Sequence, residues 1–356
     1  MRAFPQLSLI LTLALPPTLI AQQAETFSLP GDGVAIYNVA GEVRVEPGQG
    51  PVAVRVTRGG ADAGKLRVER GEIDGRETLR VLYPGSRVVY AGLAHGSSTE
   101  FTVRDDGTFG HDGDHGDHHG GSDGRRMKVV GSGGGLAAHA DLRVQVPAGQ
   151  EVSIYLAVGK VSVANVNGRL FIHAHSAPVT ATGGRGELDI DVGSGSVQVS
   201  QMEGELTVDT GSGGVEVSQF RGGVFAVDTG SGAVTGSGLQ ATALSIETGS
   251  GDIRLSSLSS PTASLETGSG SVTADLRADV RSLTVETGSG DISIHAPASL
   301  GAQVEIETAS GDIETDFALQ VTRHSRDHLV GRIGDGHGTV SIETGSGEIQ
   351  LLKNPN

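Results

Sequence analysis

Residues 286–292 read ETGSGDI. The same seven letters stand at 247–253, with ETGSGEI at 343–349 and ETASGDI at 307–313. With the serine of each copy as register mark, the positions are Ser194, Ser212, Ser231, Ser250, Ser269, Ser289, Ser310 and Ser346. The steps between them are 18, 19, 19, 19, 20, 21 and 36 residues. Two weaker copies, HSAPV around Ser176 and AVGKV around Val158, each fall 18 residues earlier. A fixed period of this length marks a repeat architecture, and the last step is one period plus an insertion.

Within a copy the pattern is that of strands. In SLTVETGSGDISI (282–294), Leu283, Val285 and Thr287 alternate with Thr284 and Glu286. After Gly288-Ser289-Gly290, Ile292 and Ile294 alternate with Asp291 and Ser293. Period-two alternation is a half-buried strand. The glycines suggest a turn with positive φ. A unit of two short strands cannot bury its own apolar face, so the units must stack. The fold expected is all-β: a parallel β-solenoid (β-helix), right-handed, with coils of 18–21 residues. Stacked coils lie about 4.8 Å apart, and identical letters recur because each turn must superpose on the next. Only 3% of residues are aromatic, which suits a narrow interior of Val, Ile, Leu and Ala.

The N-terminal residues look like an export signal: Arg2, the apolar run Leu7 to Leu15, Pro16-Pro17, then TLIA before Gln22. The expected division is a signal peptide at 1–21, an N-terminal β region at 22–150 and the solenoid at 151–356. The β region contains a disordered Gly/Asp/His loop at 105–128, and the solenoid a loop insertion at about 320–338. No later segment is apolar enough to span a bilayer. The expected location is therefore periplasmic, secreted or at the cell surface. The chain has no cysteine, which excludes disulfides, thiolate metal sites and a cysteine nucleophile. Residues 1–150 hold 15 Lys+Arg and 17 Asp+Glu, whereas 151–356 hold 11 and 25. An acidic solenoid argues against nucleic acid and suits cationic partners.

Repeated TGSGDI, the ending GRIGDGHGTVSIETGSGEIQL and the opening NVAGEVRVE together resemble the bacterial putative-adhesin family of extracytoplasmic repeat proteins. The resemblance covers roughly residues 30–352. It implies a β-helical envelope protein with an adhesion or envelope-stress role, and no catalytic residues.

Two groups of residues are candidates for binding. Three residues before each register serine stand Asp191, Asp209, Asp228, Glu247, Glu266, Glu286, Glu307 and Glu343. Strand alternation points all eight outward. Neighbouring like charges at the coil spacing repel by about 1 kcal/mol per pair even in water. Such a stripe either binds cations, calcium or a cationic peptide, or keeps the strands soluble. The second group is His111, Asp112, Asp114, His115, Asp117, His118 and His119, whose side chains suit zinc, nickel or copper. Its closely spaced glycines favour adventitious divalent binding over a built site, and no cofactor is expected. A basic segment, Arg323, His324, Arg326, His328 and Arg332, lies in the insertion. It reads as a surface loop or as a segment folded back on the acidic stripe.

A residue repeated in every coil is structural, and no singular acid–base cluster stands out, so an enzyme is not expected. The reading is an exported cell-envelope binding scaffold or adhesin. Its partner would be a protein, a glycan or a cationic peptide. A cation-responsive envelope sensor is the alternative, and a β-helix polysaccharide-active enzyme comes third.

Overall fold

The computed structural model describes residues 24–110 and 124–355. The expected signal peptide lies outside them. The described chain is a parallel β-solenoid built of strands with one short 3-10 turn. Alternation does what the sequence implies. Ile190, Val208, Val227, Ile246, Leu265 and Val285 pair coil to coil and are buried. After the turn, Val179, Val197, Val215, Val234, Ile253, Val272 and Ile292 form an opposing buried wall.

In the turn column Gly195 and Gly347 have positive φ, at 152° and 156°, but in other copies the reason for glycine differs from expectation. Gly251 and Gly270 lie outside the left-handed region. A Cβ on Gly251 would instead stand 1.9 Å from the Gly232 carbonyl oxygen of the coil before. Glycine is required because stacked backbones approach too closely for a side chain. The preceding threonine completes the turn. Buried Thr248 accepts from the Gly251 N–H at 3.0 Å and donates to the Gly232 carbonyl at 3.1 Å. Thr267, Thr287, Thr344 and Thr308 donate to the equivalent carbonyls. Positive φ also occurs at another corner: Asn165, Gln201, Gln219 and Ser257 have φ between 54° and 58°, and Gly183 and Gly238 stand in the same series at 68° and 63°. Polar or small residues fill this corner because the left-handed region penalises a branched Cβ.

The stacking order departs from the chain order at both ends. The expected sequence of coils puts Ser346 last. The structure places the C-terminal strand Gly338–Thr344 between Ser282–Thr287 and Ala302–Thr308, pairing in parallel with each. Ile349–Lys353 likewise lies between Ile292–Ala296 and Ile313–Thr315. The IGDG turn makes this possible. Ala302 pairs with Ile333 on one side and with Gly338 on the other. The chain crosses the end of that strand within five residues, through Gly334 and Gly336 at φ 57° and 72°. The insertion before it is an antiparallel hairpin, Leu319–His324 with His328–Ile333, and not a loop. Its second strand pairs with Ala302–Thr308 and closes the stack.

The N-terminal end mirrors this. Gly33–Pro47 is a full coil, paired in parallel with Gln150–Ser176 above it, Tyr37 opposite Tyr155. Below it lie Arg76–Leu82 and His139–Val146. Residues 139–146 lead directly into 150–176, yet residues 33–47 sit between them. Antiparallel strands, Ala24–Leu29, Val52–Gly59 and Arg67–Ile73, extend this end. The apolar core runs without a break across position 150. The boundary expected there is therefore a change in sequence regularity within one continuous core.

Residues 98–110 and 124–130 form an arm with Arg87–Val89. Ser98–Val103 pairs antiparallel with Arg125–Val130, which pairs in parallel with Arg87–Val89. Met127 and Val129 are fully buried. The loop expected over 105–128 thus gives way to strand from Arg125 onward.

Candidate functional site: the outward column and its aromatic head

The eight acids fall in one column. Asp191 pairs with Asp209, then Asp228, Glu247, Glu266, Glu286, Glu343 and Glu307 in spatial order. Asp191 is half-buried and the other seven are exposed. The inserted coil preserves the series: Glu343 enters between Glu286 and Glu307, out of chain order but in column. Glu247, Glu266, Glu286 and Glu343 border a groove of 490 Å³ floored by Thr-Gly backbone. Among the described residues no Lys or Arg is ion-paired with any of the eight; His173 approaches Asp191 at 3.4 Å. Partial desolvation of the carboxyl among its neighbours, joined by repulsion from Asp191 and Asp228, pushes Asp209 above its ordinary range although the residue as a whole is exposed. Burial also raises Asp189 against the opposing pull of His173, with repulsion from Asp191 adding to the rise.

The column does not begin with Asp191. One coil back the position holds His173, and beyond it Tyr155 and Tyr37. The Tyr37 and Tyr155 rings stack at 4.2 Å and 5°, and Tyr155 stacks on His173 at 4.7 Å and 10°. Phe109 meets Tyr37 edge-on at 5.8 Å, and Phe101 tilts over His175 at 5.7 Å. A single lattice position therefore carries stacked rings under the arm and bare carboxylates beyond it. The Toastrack family, DUF4097, matches residues 125–352, which include every acid of this column.

The chain belongs to the Toastrack family.

The Toastrack match starts in the arm and leaves out the inserted coil at 33–47, which the structure places in the same stack. Among solved structures, the chain is similar to one described as a "putative cell adhesion protein" from Clostridium sporogenes. The identity is 9%, coverage is 93% of this chain and 99% of that one, and the TM-score is 0.20. No curated protein matches the chain.

Several sequence-predicted residues of this Toastrack chain take no part in the column. His111, Asp112, Asp114, His115, Asp117, His118 and His119 lie outside the described residues. The basic segment does not run along the carboxylate column but meets its far end, where His328 is the register partner of Glu307. Arg326 meets Asp312 at 3.4 Å and His328 meets Glu305 at 3.2 Å, both beside the column. Among the described residues no three His, Asp or Glu side chains converge to hold a metal ion, and no helix is long and apolar enough to cross a membrane.

The residues missed by sequence reasoning are Tyr37, Tyr155 and His173. The signal was present. Three residues before Val158 and Ser176, the marks of the two weak copies, stand Tyr155 and His173. Asking for an acid at that position hid the fact that the position itself is what recurs.

Proposed function

We propose that the protein is a non-catalytic binding scaffold of the cell envelope that lays an extended cationic partner along its carboxylate column. The observation that carries this is the unbroken coil-to-coil pairing of eight acids with no Lys or Arg partner among the described residues. Each neighbouring pair repels, so a polycation is favoured by every coil it crosses. The acids stand side by side without converging, which suits a row of separate positive groups better than one chelated ion. The export-type N-terminus supports a location outside the cytoplasm, where a cationic peptide or a basic protein segment is an available partner.

The test is a thermal melt of the mature protein at low salt with acetylated hexalysine, with calcium and with zinc. The same melts are run on a variant carrying Glu247→Gln, Glu266→Gln, Glu286→Gln and Glu343→Gln. A ligand that binds only the folded form raises the midpoint, by about 2.7 kcal/mol of stability at a hundredfold excess over its dissociation constant. The expected result is a shift with hexalysine in the parent and none in the variant. A shift that survives neutralisation, or one produced by a divalent ion and not by the peptide, overturns the reading.

A further inference from the structure

Where the column changes from rings to carboxylates, the arm and the coils leave a cleft of 340 Å³. Phe101 and Phe109 form its arm side, Tyr155, His173 and His175 its coil side, and Asp191 stands at its mouth. We infer that this cleft is an anchoring subsite for a guanidinium group. It would fix one end of an arginine-containing cationic peptide whose remainder lies along the carboxylates. The inference rests on the proposed function and adds to it a place, a direction and a side-chain preference.

The chemistry of the walls selects the occupant. An anion is disfavoured by Asp191 and by half-buried Asp189 on the same face of the strand. A sugar ring needs an open aromatic platform, and both faces of Tyr155 are taken, one by Tyr37 and the other by His173. What remains is the single half-buried Phe101 ring, met only at a tilt by Phe109 and His175, beside the Asp191 carboxylate. A cation gains from ring faces within about 6 Å. Guanidinium gains most, because it is planar, weakly hydrated and able to stack while its N–H fork meets a carboxylate. Asp191 has the capacity: its Oδ2 is engaged with His173 only at a long 3.4 Å, and the side chain is 48% exposed. An ammonium group is compact and strongly hydrated and uses the rings less well. From this cleft the next positions outward are Asp209 and Asp228, so a peptide anchored here is led directly onto the acidic run.

The experiment is titration calorimetry with acetylated, amidated hexaarginine and hexalysine at low salt. The proteins are the parent chain, Phe101→Ala, Asp191→Asn, Thr102→Arg and the fourfold Gln variant. Exposed Thr102 borders the cleft, so Thr102→Arg supplies a resident guanidinium without removing a packed ring. The parent should bind hexaarginine about tenfold more tightly than hexalysine, the size of one well-placed cation–aromatic contact. Phe101→Ala and Thr102→Arg should each erase most of that preference and leave hexalysine within about threefold of the parent, the size of a modest electrostatic change, whereas Asp191→Asn, which also removes a column acid, should erase the preference and weaken both peptides. Equal affinities in the parent, or a preference that survives Phe101→Ala and Thr102→Arg, overturn the subsite. If the fourfold variant loses both peptides while the cleft variants change nothing, the column reading stands and the subsite falls. If neither peptide binds the parent, both fall.

Discussion

At one position of successive coils the protein places Tyr37, Tyr155 and His173 at one end and eight carboxylates along the rest. The backbone geometry is the same throughout, because the strands pair in register from Tyr37 to Glu307. What differs is the cover. The arm brings Phe109 edge-on to Tyr37 and Phe101 over His175, so the three stacked rings lie beside aromatic neighbours. Nothing in the described structure covers the remainder, and charged side chains keep that surface hydrated and guard it against edge-to-face association. In a solenoid, coil spacing makes equivalent residues neighbours whatever their chemistry. Stacked rings gain from that spacing and stacked carboxylates lose by it.

That contrast can be broken at graded points. The largest effect should come from the shared frame. Gly251→Val places a side chain against the Gly232 carbonyl, 1.9 Å from its Cβ, and no rotamer relieves a backbone contact. A loss of more than about 4 kcal/mol is expected, read as a chain that fails to give a cooperative melt. Tyr155→Ala removes the middle ring of the stack. It should cost about 3–5 kcal/mol, as large aromatic truncations in a core do, measured by denaturant unfolding. Thr248→Val leaves the Gly251 N–H and the Gly232 carbonyl without their bridging hydroxyl. A loss of about 1–3 kcal/mol is expected by the same measurement.

The smallest effect lies at the carboxylate end and has the opposite sign. Asp209 is raised above its ordinary value in the folded state. Between its unfolded and folded values the native state holds more protons, so stability falls as pH rises through that window. Ionised Asp209 therefore weakens the fold at neutral pH. Asp209→Asn should raise the neutral-pH melting midpoint by about 1–2 °C. The gain should vanish below the carboxylate range, where the parent's Asp209 is itself neutral. Equal costs for Tyr155→Ala and Asp209→Asn would mean that the two ends do not differ in kind.

The solenoid, its period and the outward acids are legible because they depend on local alternation and on repetition, and both are written in every copy. The hairpin at 319–333 and the strand from Arg125 were not legible, since their partners are distant in sequence. The reason for glycine in the turn was legible only in part. Spacing marks the turn, but whether glycine serves φ or close approach depends on the neighbouring coil. The aromatic head was hidden for a similar reason. Tyr155 and His173 share a repeat position with the acids, but the arm that makes rings favourable there comes from residues 98–110, outside the repeat.

The sequence alone determined that coils stack and which acids share a column, because a period-two strand pattern on an 18–21-residue repeat admits little else. Tertiary structure decided the order of the coils. Nothing in ETGSGEI at 343–349 distinguishes a last coil from an inserted one, since identical turns nest equally well on any neighbour. The insertion is set by a crossing turn, Gly334 to Gly338, and by antiparallel strands that close the ends. Near-identical repeats fix the contact between coils, and only the irregular segments between them fix which coil meets which.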